Sequence, residues 1–260
     1  MSLNKPDIKI SVLLLVSTVA IIFCCNLEPV AQDPAYHLFA DNRGFLLIPN
    51  FFNISSNIVF ILVGVLGSCL IIFRWPQSAN ITLRPNYLVF FLAIVLIGLA
   101  SGYYHYAPDN ASLFIDRIAI AIAFMAFLSI IIAEYITQKY SFTLMLVLIV
   151  VGVTSAIYWY ATELQGAGDL RGYGLVQFLP LLLIALILVL YPSAHNEKRH
   201  IWLILIFYGF AKLFELNDAS VYEYTGFVSG HSIKHILAGI APAILLYSLY
   251  HRGYQTNTIR

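Results

Sequence analysis

Five residues in this sequence are of the types that assemble into a hydrolytic metal centre: Ser101, His105, Asp116, His231 and His235. Ser101 and His105 are four apart, as are His231 and His235, so each pair shares one helix face, one turn apart. Three neutral imidazoles are a standard catalytic zinc set that leaves a fourth position to water. Zinc lowers the pKa of that water towards ~7 and so yields hydroxide at ordinary pH. Asp116 suits transfer of the water's proton to a leaving amine. Ser101 suits support of an oxyanion. Plainer readings stand beside these. Ser101 taken alone reads as a hydroxyl bonded back to its own helix. Asp116 next to Arg117 reads equally well as an ion pair at the lipid boundary. For the three histidines a metal is the better reading, because ionisable groups in apolar spans cost at least ~2.5–3.5 kcal/mol each and are kept for function.

The elements that carry these residues are membrane helices. Of the 260 residues 60% are hydrophobic and only 10% charged, with a mean hydropathy of +0.84. Soluble domains are about 45–50% apolar and about 25% charged, so lipid must be the solvent for most of this chain. A net charge of +1 and the lack of any basic tract give no basis for a nucleic-acid partner. Cys24, Cys25 and Cys69 all lie in apolar runs without a pairing or CxxC spacing, and read as small buried hydrophobes.

A bilayer core needs roughly 20 apolar residues per helix. Eight segments meet or approach that length: Ile10–Asn26, Asn53–Phe73, Tyr87–Tyr106, Phe114–Ile136, Phe142–Tyr160, Tyr173–Tyr191, Ile201–Leu216 and Ile233–Tyr250. The expected fold is therefore all-α, a polytopic bundle with a seven-helix core and one extra N-terminal helix. Residues 1–30 form the extra helix, a possible signal anchor, and residues 31–260 the seven-helix domain. Lys5, Lys9 and the following apolar run also resemble a secretory signal peptide, but no convincing A-x-A cleavage site follows, so an uncleaved helix is expected.

The basic residues orient this map. With both termini cytoplasmic, that side receives Lys5, Lys9, Arg74, Arg84, Lys139, Lys198, Arg199, Arg252 and Arg260. The other side receives Arg43, Arg117 and Arg171, while Lys212 and Lys234 fall in or beside spans. The asymmetry obeys the positive-inside rule and places the five chemical residues at the extracytoplasmic helix ends. Short loops fit a bacterial inner membrane. Gly64, Gly67, Gly98 and Gly102 are expected to let helices approach closely, and Pro180 and Pro242 are tolerated inside spans.

Four further polar residues sit near the site. Glu215 and Asp218 could orient the histidines as outer acceptors, or Glu215 could pair with Lys212 three residues away. Lys234, between two proposed ligands, is expected to face away and reach the membrane interface.

The pattern Ser101-x3-His105, Asp116 eleven residues on, and a late His231-x3-His235 resembles the CREST superfamily of membrane hydrolases, which includes alkaline ceramidases and adiponectin-type receptors. The stretch "PNFFNISSNIVFILVG", with Asn53 and Asn57, and "SGHSIKH" are most similar to the bacterial branch of the alkaline ceramidases. The resemblance covers about residues 36–250. It implies Zn2+ on His105, His231 and His235, Asp116 as proton shuttle, Ser101 as transition-state support, and cleavage of ceramide, a lipid amide drawn from the bilayer, to sphingoid base and fatty acid. The calcium-binding acidic stretch of eukaryotic members is not matched: Asp41 is present, but Asn50 stands where a carboxylate would fall. Calcium wants several oxygen ligands, so calcium dependence is not carried over. Asp41 and Arg43 are expected to pair or to cap the mouth of the site.

Two other classes compete. A seven-helix receptor of adiponectin or progestin type would keep a similar zinc site, and turnover separates it from an enzyme. A retinal protein is prompted by Lys234 in the last span, but a Schiff-base lysine belongs deep in a bundle. An HExxH protease is disfavoured because that motif is absent.

Overall fold

The computed structural model describes residues 7–76, 79–192 and 198–252. Lys5 and Arg260, which entered the charge asymmetry, lie outside them. Among the described residues there is no strand, only one isolated bridge between Phe45 and Ile48. Helices are what lipid demands, since each backbone polar group must find its partner within its own segment.

The α-helices in chain order are α1 (Ile8–Asn26), α2 (Phe51–Ser55), α3 (Ile58–Phe73), α4 (Arg84–Tyr106), α5 (Asn110–Tyr135), α6 (Ser141–Leu164), α7 (Arg171–Leu190), α8 (Lys198–Leu216), α9 (Asp218–Thr225) and α10 (Gly230–Arg252). Local sequence sets their ends. Asp7 caps α1 by accepting from the Lys9 N–H, and Asp109 with Ser112 forms a reciprocal capping box that starts α5. Pro180 and Pro242 lie inside α7 and α10 as expected.

Seven segments are long and apolar enough to cross a membrane, with α2 and α3 counting as one, Phe51–Phe73. The eighth expected span behaves differently. α8 meets the test only together with α9, across a 78° bend at Asn217. The bundle is thus the expected seven-helix core, α3 to α10, with α1 added outside it.

α5 is the central post. Its face of small residues, Ala119, Ala123 and Ala126 among them, is buried and lets α4, α6 and α7 close around it. α10 packs on α8 and α3, and α1 lies along α7. The α3–α4 contact depends on Gly67, where any Cβ would run into the Phe91 ring. Gly64 and Gly98 sit at similar close approaches, but Gly102 faces open space, against expectation. The cysteines also depart from the buried reading: Cys24 is half-buried, and Cys25 and Cys69 are exposed on the apolar exterior. In a membrane bundle that exterior is lipid, so an apolar run does not separate inward from outward positions.

Candidate metal centre

His105 is the penultimate residue of α4, and His231 and His235 occupy the first turns of α10. The chain brings them together because α10 enters the bundle tightly. A Cβ at Gly230 would strike the Phe214 carbonyl, so only glycine lets α10 start this close to the α8–α9 bend. Asp218, just past that bend, then fixes the entry: its Oδ1 accepts the His231 backbone N–H at 2.7 Å and its Oδ2 accepts that of Ala40 at 3.1 Å.

The three rings are 1%, 5% and 2% exposed. His105 Nε2 lies 3.2 Å from His231 Nε2 and 3.3 Å from His235 Nε2. Two nitrogens each ~2.0–2.1 Å from one tetrahedral zinc stand about 3.3–3.4 Å apart, so the spacing fits a metal. With neutral imidazoles the three converging ring nitrogens could share only one weak, forked N–H bond from His105, whereas a cation between them would engage all three lone pairs. The set forms the described cluster that could hold an ion. The donor chemistry fits zinc, though imidazole also suits copper, iron and nickel.

Residues around the rings hold their orientation. Ser56, in the break between α2 and α3, places Oγ 2.8 Å from His235 Nδ1, with Asn57 Nδ2 at 3.4 Å from the same atom. Asn50, in a left-handed conformation with φ 46°, donates from Nδ2 to the His105 carbonyl at 2.8 Å. Asn53 is fully buried and accepts from the Ser232 and Ser229 hydroxyls while donating to the Asp41 carbonyl. Phe39 covers the site, its ring 4.5 Å from His105 and 5.2 Å from His231. Asp41 pairs with Arg43 at 2.8 Å, and Arg43 reaches on to the Phe227 carbonyl, so this pair braces the mouth. Burial pushes the Asp41 carboxyl up, but the hydrogen bonds and charge of Arg43 outweigh it and hold it below its ordinary value.

A cavity of about 180 Å³ runs from the polar cluster into the bundle. Ser101, Asp116 and His235 line its polar end, and Phe90, Phe127 and Ile204 its apolar length. Ser101 and Asp116 are buried, and Asp116 Oδ1 has no hydrogen-bond partner among the described residues. Asp116 does not pair with Arg117. The arginine turns to Gln32 and the Trp159 ring instead, because successive helical residues point about 100° apart.

One sequence expectation needs correction, and two open readings are decided. Lys234 does not face away: its Nζ lies 3.1 Å from His231 Nε2 and 2.9 Å from Glu215 Oε1, and it lines the cavity. Of its two readings Glu215 follows the pairing one: it binds Lys212 at 2.5 Å, Lys234 and the Tyr36 hydroxyl, and no imidazole. Asp218 holds backbone at the start of α10 and no ring. Ser56 escaped sequence reasoning altogether, since nothing local marks one serine among many. The cap of Phe39 and the aromatic surroundings of Arg117 are likewise products of tertiary packing.

No family model and no curated protein matches the chain.

Proposed function

We propose that this chain is a zinc-dependent intramembrane amidohydrolase that cleaves ceramide to sphingoid base and free fatty acid. The observation that carries the reading is the convergence of His105, His231 and His235 through Nε2 beside a buried, unpaired Asp116 oxygen. His105, His231 and His235 would hold the zinc ion, which would supply a nucleophilic water and polarise the amide carbonyl. Asp116 takes a proton at its free oxygen and returns one to the leaving amine. Ser101 donates its hydroxyl to the developing oxyanion. Phe39 above the rings excludes bulk water, which strengthens each of these interactions. The apolar wall receives an acyl chain; at about 180 Å³ the cavity is below the ~300–1,000 Å³ of drug-sized pockets and takes one slender chain, leaving the second in the bilayer.

The charge asymmetry supports cytoplasmic termini and a site towards the extracytoplasmic side. The test pairs metal analysis of purified protein with fatty-acid release from ceramide. We expect one zinc per chain and release that His231→Ala abolishes. Release unaffected by that substitution would defeat the proposal, and metal without turnover would favour the receptor reading.

A further inference from the structure

Arg117 is 7% exposed and stands in the cavity wall, one residue beyond Asp116 on α5. Its Nη2 donates to Gln32 Oε1 at 2.5 Å. Its guanidinium carbon lies 3.9 Å from the Trp159 ring centre, 5.0 Å from that of Tyr173 and 6.0 Å from that of Tyr36. No carboxylate approaches it within 4.0 Å among the described residues, and among them its Nη1 has no hydrogen-bond partner. Aromatic faces offset part of the cost of burying a guanidinium. They do not supply the acceptor that Nη1 lacks. An unpaired charge in a membrane bundle is costly enough to signal a binding role.

The rest of the wall has the same bias. Lys212 and Lys234 line the same cavity and share one carboxylate, Glu215. With Asp116 ionised, three cations then face two acids. Most of the remaining wall is apolar, with Gln177 and the Tyr208 hydroxyl among the exceptions. A cavity with a cationic end and an apolar length is complementary to an amphiphile whose head is an anion.

We infer that Arg117, which is not one of the three proposed metal ligands, anchors the carboxylate of a single-chain lipid. This rests on reading the cavity as a lipid site, not on hydrolysis. The guanidinium receives the carboxylate as a charge-assisted hydrogen-bond donor, with Trp159 and Tyr173 fixing its plane. Two sources carry this chemistry: a fatty acid after its release, or an N-acyl amino acid whose acidic head belongs to the substrate.

The experiment measures equilibrium binding to the purified His231→Ala chain, where neither the metal centre nor turnover contributes. Oleate is compared with oleyl alcohol, and N-oleoylglycine with N-oleoylethanolamine, at a pH where both acids are ionised. At least one anionic ligand should bind about tenfold or more tighter than its neutral partner, and Arg117→Gln should erase that preference. A preference for oleate alone assigns the site to a released fatty acid; a preference for N-oleoylglycine assigns it to an acidic substrate. Equal affinities within both pairs would overturn the inference, as would a preference that survives Arg117→Gln. The comparison at intact Arg117 can refute it even if that variant fails to assemble, and chelator-treated parent chain replaces His231→Ala if needed. Absence of ceramide hydrolysis in the parent chain would sink the amidase reading and leave this comparison standing.

Discussion

Lys234 Nζ lies 3.1 Å from Nε2 of His231, the atom that His231 turns towards His105. An ammonium so placed opposes a dication bound to the same imidazole. Glu215, 2.9 Å from Lys234 and 2.5 Å from Lys212, partly neutralises both lysines. The charge balance of the centre therefore involves residues outside the ligand set.

From this balance, Lys234→Met should tighten zinc binding and Glu215→Gln should weaken it, each by about tenfold, or ~1.4 kcal/mol. Competition against a chelator of known affinity reads both effects. Shifts in the same direction would contradict the electrostatic account.

Ser56→Ala removes the hydrogen bond that orients the His235 ring. Outer partners of metal-binding histidines typically contribute ~10–100-fold in affinity. A loss in that range, without loss of the helical circular dichroism signal, is expected. Unchanged affinity would mean that packing against Phe60 and the neighbouring rings orients His235 by itself.

Asp116→Asn should keep the metal and lose about 10²–10⁴-fold in kcat for fatty-acid release. The isosteric amide fits the same buried volume but cannot move a proton in the same way. Zinc content measured on the same preparation separates this outcome from collapse of the site.

Asp169 and Arg171 form an ion pair at 2.8 Å between α6 and α7, and Arg171 also holds the Leu27 carbonyl past the end of α1. The hydrogen bonds from Arg171 hold the Asp169 carboxyl below its ordinary value. A carboxyl whose folded pKa is depressed stabilises the fold above its unfolded value of about 3.9, and that contribution fades as pH falls through the folded value. Asp169→Asn should thus cost about 1–3 kcal/mol near neutrality and little in strong acid. Thermal melts across that range check the sign.

Much of this was legible before the structure, for reasons that differ by residue. His105, His231 and His235 announced themselves because i,i+4 spacing and the span map together fix both face and depth. The bend after Leu216 was not legible, since hydropathy measures whether a segment tolerates lipid and not whether it stays straight. The side that Lys234 takes is not legible from its neighbours in sequence, which do not say where a long side chain ends. On a helix the residue three after His231 lies ~60° from it, on the side opposite His235, and a long side chain there reaches the ring. Ser56 and Arg117 depend on which helix stands opposite, and sequence spacing carries no such information.

Asn50 grips the carbonyl of His105, the last peptide but one of α4, while Phe39 in the same connection between α1 and α2 lies on that histidine's ring. The connection and the ligand consequently form one thermodynamic unit. Any ion that immobilises His105 also quiets the surface segment gripping it, and anything that frays that segment raises the ion's escape by the same free energy. Amide exchange in residues 38–50 would thereby serve as a remote gauge of metal loading.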